Sequence, residues 1–149
     1  LIFVNKMLYK HGLRDKIRVI ASGKVLSAAS LIKTLALGAD ICNSARGFMF
    51  SLGCIQALRC NTNRCPTGIA TQNKMLMRGL VVNDKAERVY YFHKNTLEAV
   101  MELLAASGKE KLEDINHTQF IYGDLFQTLE DDFYEVGHKG RVPDVKVKD

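Results

Sequence analysis

The stretch IRVIASGKVLSAASLIKTLALGADICNSARG, residues 17–47, decides the fold. Its short apolar runs at 17–21 and 39–43 are typical of buried strands. Between them, apolar residues recur at helical spacing after Ser27, a candidate N-cap, and before Gly38, a candidate stop. A strand, a helix and a second strand with short links predict a βαβ unit and a parallel sheet, so we expect the α/β class.

Further helices are expected on both sides of this unit. Apolar residues again recur at helical spacing at 1–13, 48–58, 73–78 and 85–106. Gly12 and Gly108 are the expected stops of the first and the last of these helices, and Asp84 is the expected N-cap of the last.

The composition is that of an ordered globular protein. Of 149 residues, 47% are hydrophobic and 25% are charged, which allows a core and argues against disorder. No apolar run approaches the roughly 20 residues of a membrane-spanning helix, so we expect no membrane partner. The net charge of +5 is spread along the chain. A nucleic-acid surface needs clustered cations, so we expect no nucleic-acid partner. The early basic residues are interpreted as solvated, namely Lys6, Lys10, Arg14, Lys16 and Arg18.

Three of the four cysteines lie close together. Cys54, Cys60 and Cys65 form the pattern Cys-x5-Cys-x4-Cys. We expect a cytoplasmic protein, in which clustered cysteines more often ligate metal or do redox chemistry than form disulfides.

The cysteine spacing leaves three interpretations open. A three-iron cluster needs three protein thiolates, which is the number present, whereas a four-iron cluster usually takes four. Structural zinc usually takes four ligands, and His93 or Cys42 would have to complete such a site. The third interpretation is free cytosolic thiols. Arg59 and Arg64 lie beside the cysteines in sequence, where cations would offset the negative charge of a thiolate–iron centre.

Small and polar residues follow both predicted strands. Ser22-Gly23-Lys24 comes after the first and Ser44-Ala45-Arg46 after the second. In parallel α/β folds, ligands bind at these carboxyl ends of strands, and the N–H groups that begin the next helix hold phosphate well. The two turns together therefore predict a phosphate site, although each alone is also an ordinary strand-to-helix link.

Residues 17–72 resemble the flavin-binding synthase domain of glutamate synthases. The matching stretches are IASGK (20–24), ALGAD (36–40), LGC (52–54) and, most specifically, the cysteine pattern ending in CPTGIATQ (65–72). The resemblance implies a TIM (β/α)8 barrel whose strands 7 and 8 are the two predicted here. It implies that FMN binds at Ser22-Gly23-Lys24 and Ser44-Ala45-Arg46, although both turns depart from the family's glycine-rich pattern. It also implies that Cys54, Cys60 and Cys65 hold a 3Fe-4S cluster.

The resemblance also divides the chain. Residues 1–108 are expected to be the C-terminal portion of the FMN-binding barrel, with the cluster segment at 53–72. Residues 109–149 are expected to be a helical or irregular extension. A TIM barrel takes roughly 250 residues, so the other strands would lie in an upstream remainder of the barrel. Without that remainder, we expect the two-stranded sheet to leave open edges and exposed apolar faces.

The implied reaction is the reductive synthesis of L-glutamate. Ammonia derived from glutamine condenses with 2-oxoglutarate, and reduced FMN delivers hydride to the imine. A flavin can accept single electrons from an iron–sulfur cluster and deliver a pair. The implied partners are an NADPH- or ferredoxin-linked electron donor and an ammonia source, and the chain alone is expected to be inactive. No catalytic residue is assigned. The competing hypothesis is a small zinc-stapled binding module without catalysis.

Overall fold

The structure, a computed structural model, describes residues 1–116 and the backbone of two strands at 136–139 and 142–145. In chain order the elements are α1 (Ile2–Lys10), β1 (Ile20–Ser22), α2 (Ala28–Ala36), β2 (Ile41–Asn43), α3 (Ala45–Ser51), α4 (Lys74–Met77), α5 (Val82–Ala106), a 3-10 turn (Leu112–Asp114), β3 (Val136–Lys139) and β4 (Val142–Val145).

β1 and β2 pair in parallel on either side of α2. The register runs from Ile20 opposite Ile41 to Ser22 opposite Asn43, which confirms the predicted βαβ unit. Both strands have three residues and are shorter than predicted. The N–H groups of Asp40 and Ile41 both donate to Val19 O, so the regular ladder of hydrogen bonds does not continue before Ile20 and Ile41. The assignment of the pair to barrel strands 7 and 8 stays a prediction.

Most helix ends lie where the sequence predicts them. Ser27 caps α2 in a reciprocal box, since its Oγ accepts the Ser30 N–H and Ser30 Oγ accepts the Ser27 N–H. Gly12, Gly38 and Gly108 follow α1, α2 and α5, and the N–H of each donates to a carbonyl of the preceding turn. The predicted turn of helix near residue 73 is confirmed as α4.

The helix predicted at 48–58 is wrong beyond Ser51, where α3 ends. Gly53 stops it: at φ +101° its N–H donates to Phe50 O, and the next N–H donates to Met49 O. This pair of bonds is a Schellman closure, which favours glycine because the left-handed region strains other residues. The cysteine segment therefore begins as irregular chain and not as helix.

The long helix α5 begins earlier than predicted. It starts at Val82, so Asp84 is not its N-cap. Asp84 lies in the first turn instead, where a carboxylate is stabilised by the positive end of the helix dipole. Its Oδ2 is 3.1 Å from Lys85 Nζ. Within the described residues, neither α5 nor any other helix is both long and apolar enough to cross a membrane.

The hydrophobic core lies between α2 and α5. The buried side chains of α2 pack against α5 and against Ile115, which follows the 3-10 turn. Leu104 and Ile115 are each only 2% exposed. The core consists of Ile32, Ala36, Val100, Leu104 and Ile115, with Ala28, Leu31 and Leu112 packed against it.

One face of the parallel pair is open. Ile20 and Ile41 lie side by side and are 57% and 49% exposed, although the sequence predicts buried strands. In the described part of the chain, no third strand joins this sheet. The open face agrees with the expectation that the pair needs further packing partners.

A buried ion pair fastens the end of the βαβ unit opposite the two turns. Arg14 is 6% exposed, and its Nη2 lies 2.7 Å from Asp40 Oδ2. Its other donors reach Asn5 Oδ1, Ile17 O at 3.0 Å and Gly38 O at 3.2 Å. The interpretation of Arg14 as a solvated residue is therefore wrong, because its fork of donors joins α1 to the links before β1 and before β2.

Asp40 is held in its ionised form. Burial by itself would raise its pKa, but the Val19 N–H, which donates to Oδ2 at 2.7 Å, and the Arg14 guanidinium outweigh this effect. The pKa of Asp40 is therefore lowered below 3.8.

We expect Gly38→Ala to destabilise the protein by about 2–4 kcal/mol. Gly38 has φ +99°, and a Cβ built there would lie 2.8 Å from Asn5 Cγ. Denaturant unfolding measures the loss. Gly12→Ala is the matched control, because Gly12 has φ +64° but open space around a new Cβ. The control should lose only the conformational part, about 1–2 kcal/mol. Equal losses in the two variants would show that the contact with Asn5 contributes nothing.

The expected extension at 109–149 is described in part. It contains the 3-10 turn and, further on, β3 and β4, which pair antiparallel with Val136 opposite Val145. The described residues of the extension thus include eight in strands, from 136 to 139 and from 142 to 145, and the division of the chain after residue 108 stays a prediction. Residues 117–135, 140–141 and 146–149 lie outside the described residues.

Candidate cofactor site

The two strand-end turns line one cleft of about 330 Å³. It opens at the carboxyl ends of β1 and β2, as expected for ligand binding in a parallel α/β unit. Five of the six residues predicted for a phosphate site line it. The lining residues are Ser22, Gly23, Lys24, Val25, Leu26, Asn43, Ala45 and Arg46.

Ser44, the sixth predicted residue, does not line the cleft but ties its two sides together. Its Oγ donates to Val25 O at 2.6 Å, which joins the start of α3 to the loop after β1. Gly47 lets this corner pack closely, since a Cβ there would lie 2.7 Å from Ser44 Oγ and 2.8 Å from Phe92 Cζ. The second turn is thus held against both the first turn and α5.

The cleft has the charge and the space that an anion requires. Lys24 and Arg46 are exposed cations on opposite turns. A Cβ built on Gly23 meets nothing within 4 Å, so a ligand can approach the backbone there. Lys24 follows in the left-handed region at φ +55°, a conformation that costs a non-glycine residue about 1–2 kcal/mol. Such strain is often found at ligand sites.

The three candidate metal ligands differ in environment. Cys65 is buried, Cys54 is half-buried and Cys60 is exposed, and none of them is in a disulfide. Among the described residues, no group of three or more Cys, His, Asp or Glu side chains converges to hold a metal ion. Neither Cys42, in β2, nor His93, beside the Phe48 ring, completes such a group.

The backbone around the cysteines is strained. Gln56, Leu58 and Asn63 have φ near +54°, +54° and +60°, and Leu58 is also 87% exposed. Left-handed conformations in non-glycine residues cost free energy and are concentrated at functional segments. This segment therefore has a conformation that local preferences alone do not explain.

Hydrogen-bond donors surround the sulfur of Cys65. The Thr67 hydroxyl, 3.4 Å from Sγ, and the N–H groups of Thr67, Ile69 and Ala70 favour the thiolate. Together they lower the pKa of Cys65 to about 7 against the effect of burial. A thiolate that accepts several N–H bonds has the chemistry of an iron–sulfur ligand.

Two cations near the cysteine segment were not apparent from the sequence. Lys85 Nζ and Arg88 Nη1 lie 3.8 and 3.9 Å from the position of a Cβ on Gly53, one residue before Cys54. The sequence drew attention to Arg59 and Arg64 instead, and both of these are exposed. Lys85 and Arg88 come from the first turns of α5, and no local sequence pattern links them to the cysteines.

A parallel βαβ unit with a cleft at its strand ends places this chain in the α/β class. A family model described as a conserved region in glutamate synthase matches residues 1–110. The chain belongs to this family, which confirms the resemblance noted from its motifs. The family is one of oxidoreductases.

Individual relatives agree with the family match. The glutamate synthase large subunit-like protein YerD of Bacillus subtilis (strain 168) is 45% identical over 105 residues, which are 70% of this chain and 20% of that protein. The archaeal glutamate synthase (NADPH) of Methanocaldococcus jannaschii is 38% identical over 112 residues, 75% of this chain and 22% of that protein. The chloroplastic ferredoxin-dependent glutamate synthase of Oryza sativa subsp. japonica is 33% identical over 111 residues, 74% of this chain and 7% of that protein. The chain thus spans about a fifth of the length of the first two relatives.

Proposed function

We propose that this chain is the part of a glutamate synthase-like oxidoreductase that binds the FMN phosphate and holds a 3Fe-4S cluster. The reaction served is the reductive formation of L-glutamate from 2-oxoglutarate and glutamine-derived ammonia. The observation that carries the proposal is the single cleft formed by two turns that are far apart in sequence, with a cation from each. The family match supplies the oxidoreductase context.

The phosphate of FMN fits the cleft between the turns. Lys24 and Arg46 provide charge from two sides, and the backbone at Gly23 is open to a close approach. Arg46 lies in the first turn of α3, next to Ala45, which also lines the cleft. Ser44 holds the two sides at a fixed separation through Val25 O.

The donor chemistry of the cysteine segment fits an iron–sulfur cluster. Cys54, Cys60 and Cys65 supply the three thiolates that a three-iron cluster needs. The N–H groups around Cys65 would stay as hydrogen bonds to a ligated sulfur. The three thiols do not converge in the structure, so their side chains would have to draw together when the cluster binds.

When bound, the flavin and the cluster would supply the electron-pair and single-electron chemistry that joins a donor to the oxo acid. The residues of this chain would hold these groups. Arg88 adds positive charge beside the segment that carries Cys54, together with Lys85, whose charge is partly offset by Asp84. We assign the rest of the barrel, the electron donor and the ammonia source to partners outside this chain. None of the four cysteines is in a disulfide, which suits the reducing cytoplasm.

We expect the protein to bind FMN about tenfold to a hundredfold more tightly than riboflavin, which lacks the phosphate. A charge-assisted hydrogen bond contributes about 1.5–3 kcal/mol, and because both cations are exposed we expect the two together to contribute about as much as one such bond, which sets that range. The double substitution Lys24→Ala and Arg46→Ala should bring FMN down to the affinity of riboflavin. Quenching of flavin fluorescence on titration measures both affinities.

Lys33→Ala is the matched control for this experiment. Lys33 is an exposed cation on α2 outside the cleft, so its removal should leave the preference for FMN unchanged. Equal affinities for FMN and riboflavin in the unsubstituted protein would refute a phosphate site at the two turns.

A further inference from the structure

The chain between Cys60 and Cys65 is closed by contacts with the segment that follows them. Asn63 Oδ1 accepts the Gln72 N–H and lies 3.0 Å from Thr71 Oγ1. The Thr71 hydroxyl also lies 2.7 Å from Asn63 O, and it accepts the Asn73 N–H at 3.1 Å. Asn63 therefore joins residues eight and nine positions further along the chain through both its side chain and its carbonyl.

These contacts enclose the segment that surrounds Cys65. The Thr67 hydroxyl, 3.4 Å from the sulfur, lies between the two joined points. Gly68 is packed onto α4 so closely that a Cβ there would lie 3.1 Å from the carbonyl carbon of Leu76. The segment is therefore held at its ends by the contacts of Asn63 and in its middle by α4.

The conformation of Asn63 suits this position. Its φ of +60° lies in the left-handed region, which asparagine tolerates better than most residues. That conformation turns the chain between the exposed Cys60 and the buried Cys65, while the side chain reaches forward to Gln72. Backbone and side chain of Asn63 thus act together on the same turn.

We propose that Asn63 and Thr71 form a latch that fixes the Cys60–Cys65 turn for cluster binding, so that both are positioning residues for the metal site. This inference rests on the proposed function. The latch restrains the backbone of the turn, so less conformational entropy is lost when the cysteine side chains draw together at one centre, and the cluster is held more tightly. Opening the latch lets the turn sample other conformations and exposes the buried sulfur of Cys65.

Variants can separate the two parts of the latch. Asn63→Gly keeps a residue that tolerates positive φ but removes the side-chain acceptor. Thr71→Val removes the hydroxyl at nearly constant shape, and Thr71→Ser restores it. We expect Asn63→Gly and Thr71→Val to lose the cluster to an iron chelator about tenfold faster than the unsubstituted protein, as the loss of one or two net hydrogen bonds implies. Thr71→Ser and Asn61→Ala, an exposed neighbour, should lose it at the unsubstituted rate.

A second measurement does not depend on the cluster. In folded protein without iron, at a pH well above the pKa of Cys65, the rate of alkylation reports how accessible the buried sulfur is. This rate should rise in Asn63→Gly and Thr71→Val but not in Thr71→Ser. Unchanged alkylation and cluster loss in both latch variants would overturn the inference. If Thr71→Ser also lost the cluster faster than the unsubstituted protein, the Thr71 hydroxyl would not be the group that holds the turn. A protein that takes up no iron or sulfide would refute the proposed cluster, and the alkylation rates would still decide whether the latch exists.

Discussion

Asp40→Asn is expected to lower the free energy of unfolding by about 3–5 kcal/mol, a large share of the stability of a small domain. Removing one partner of a buried ion pair leaves the other charge without compensation. Here Arg14, 6% exposed, would keep its bonds to carbonyls but lose the carboxylate at 2.7 Å. Denaturant unfolding at neutral pH measures the loss.

Asp15→Asn is the control, because it removes the same charge from an exposed position in the same part of the chain. It should change the stability by less than about 0.5 kcal/mol. A double-mutant cycle with Arg14→Met isolates the pair, since the two losses should not add if the residues act on each other. Additive losses would contradict a coupled pair.

The pH dependence gives a second check on Asp40. Its pKa in the folded protein is below 3.8, so the ion pair contributes its full stability above the unfolded pKa. That contribution is lost as the pH falls through the lower, folded pKa. The gap in stability between the unsubstituted protein and Asp40→Asn should therefore stay constant above about pH 5 and narrow in strong acid. If the difference in stability instead grew as the pH fell, the pKa of Asp40 would not be lowered in the folded protein.

Cys60→Ser is expected to remove most of the iron and acid-labile sulfide from protein prepared without oxygen. A three-iron cluster has one protein thiolate per iron, so no other cysteine can replace a lost ligand without rearrangement. Because the Cys60 side chain is exposed, the substitution should leave the melting temperature of the metal-free protein unchanged. Iron and sulfide assays with low-temperature EPR measure the cluster.

Cys42→Ala is the matched control for Cys60→Ser. Cys42 lies in β2, opposite Ala21, and should keep the full cluster signal when replaced. If Cys42→Ala also removed the metal, Cys42 would be a ligand and a four-ligand site would be favoured. An unchanged signal in Cys60→Ser would reject Cys60 as a ligand.

Local signals in the sequence predicted much of the fold. Ser27 and the glycines after α1, α2 and α5 act within one helical turn. Ser27 begins α2 where predicted, and the glycines follow the ends of their helices. Gly53 is also a glycine that ends a helix, but apolar residues follow it, and for that reason the helix was predicted to continue beyond the observed end of α3. The two turns were predicted to meet because the carboxyl ends of parallel strands share one edge of a sheet.

Features that depend on distant contacts could not be predicted in the same way. Arg14 follows α1 among other basic residues, and only the position of Asp40 shows that it is buried. Ser44 belongs to the predicted turn, yet its bond to Val25 O makes it a support for the cleft and not part of its lining. Lys85 lies near Gly53 because α3 and α5 pack together. The sequence of either helix alone does not indicate that the two helices are in contact.

The most direct test of the proposed cofactor role is the content of iron, zinc and acid-labile sulfide in the protein purified without oxygen, read together with EPR of the oxidised form at low temperature. We predict iron and sulfide in a ratio of about three to four with the signal of an oxidised three-iron cluster, because three thiolates are present on one segment. Zinc bound without sulfide would contradict the proposal and favour a zinc-stapled module instead.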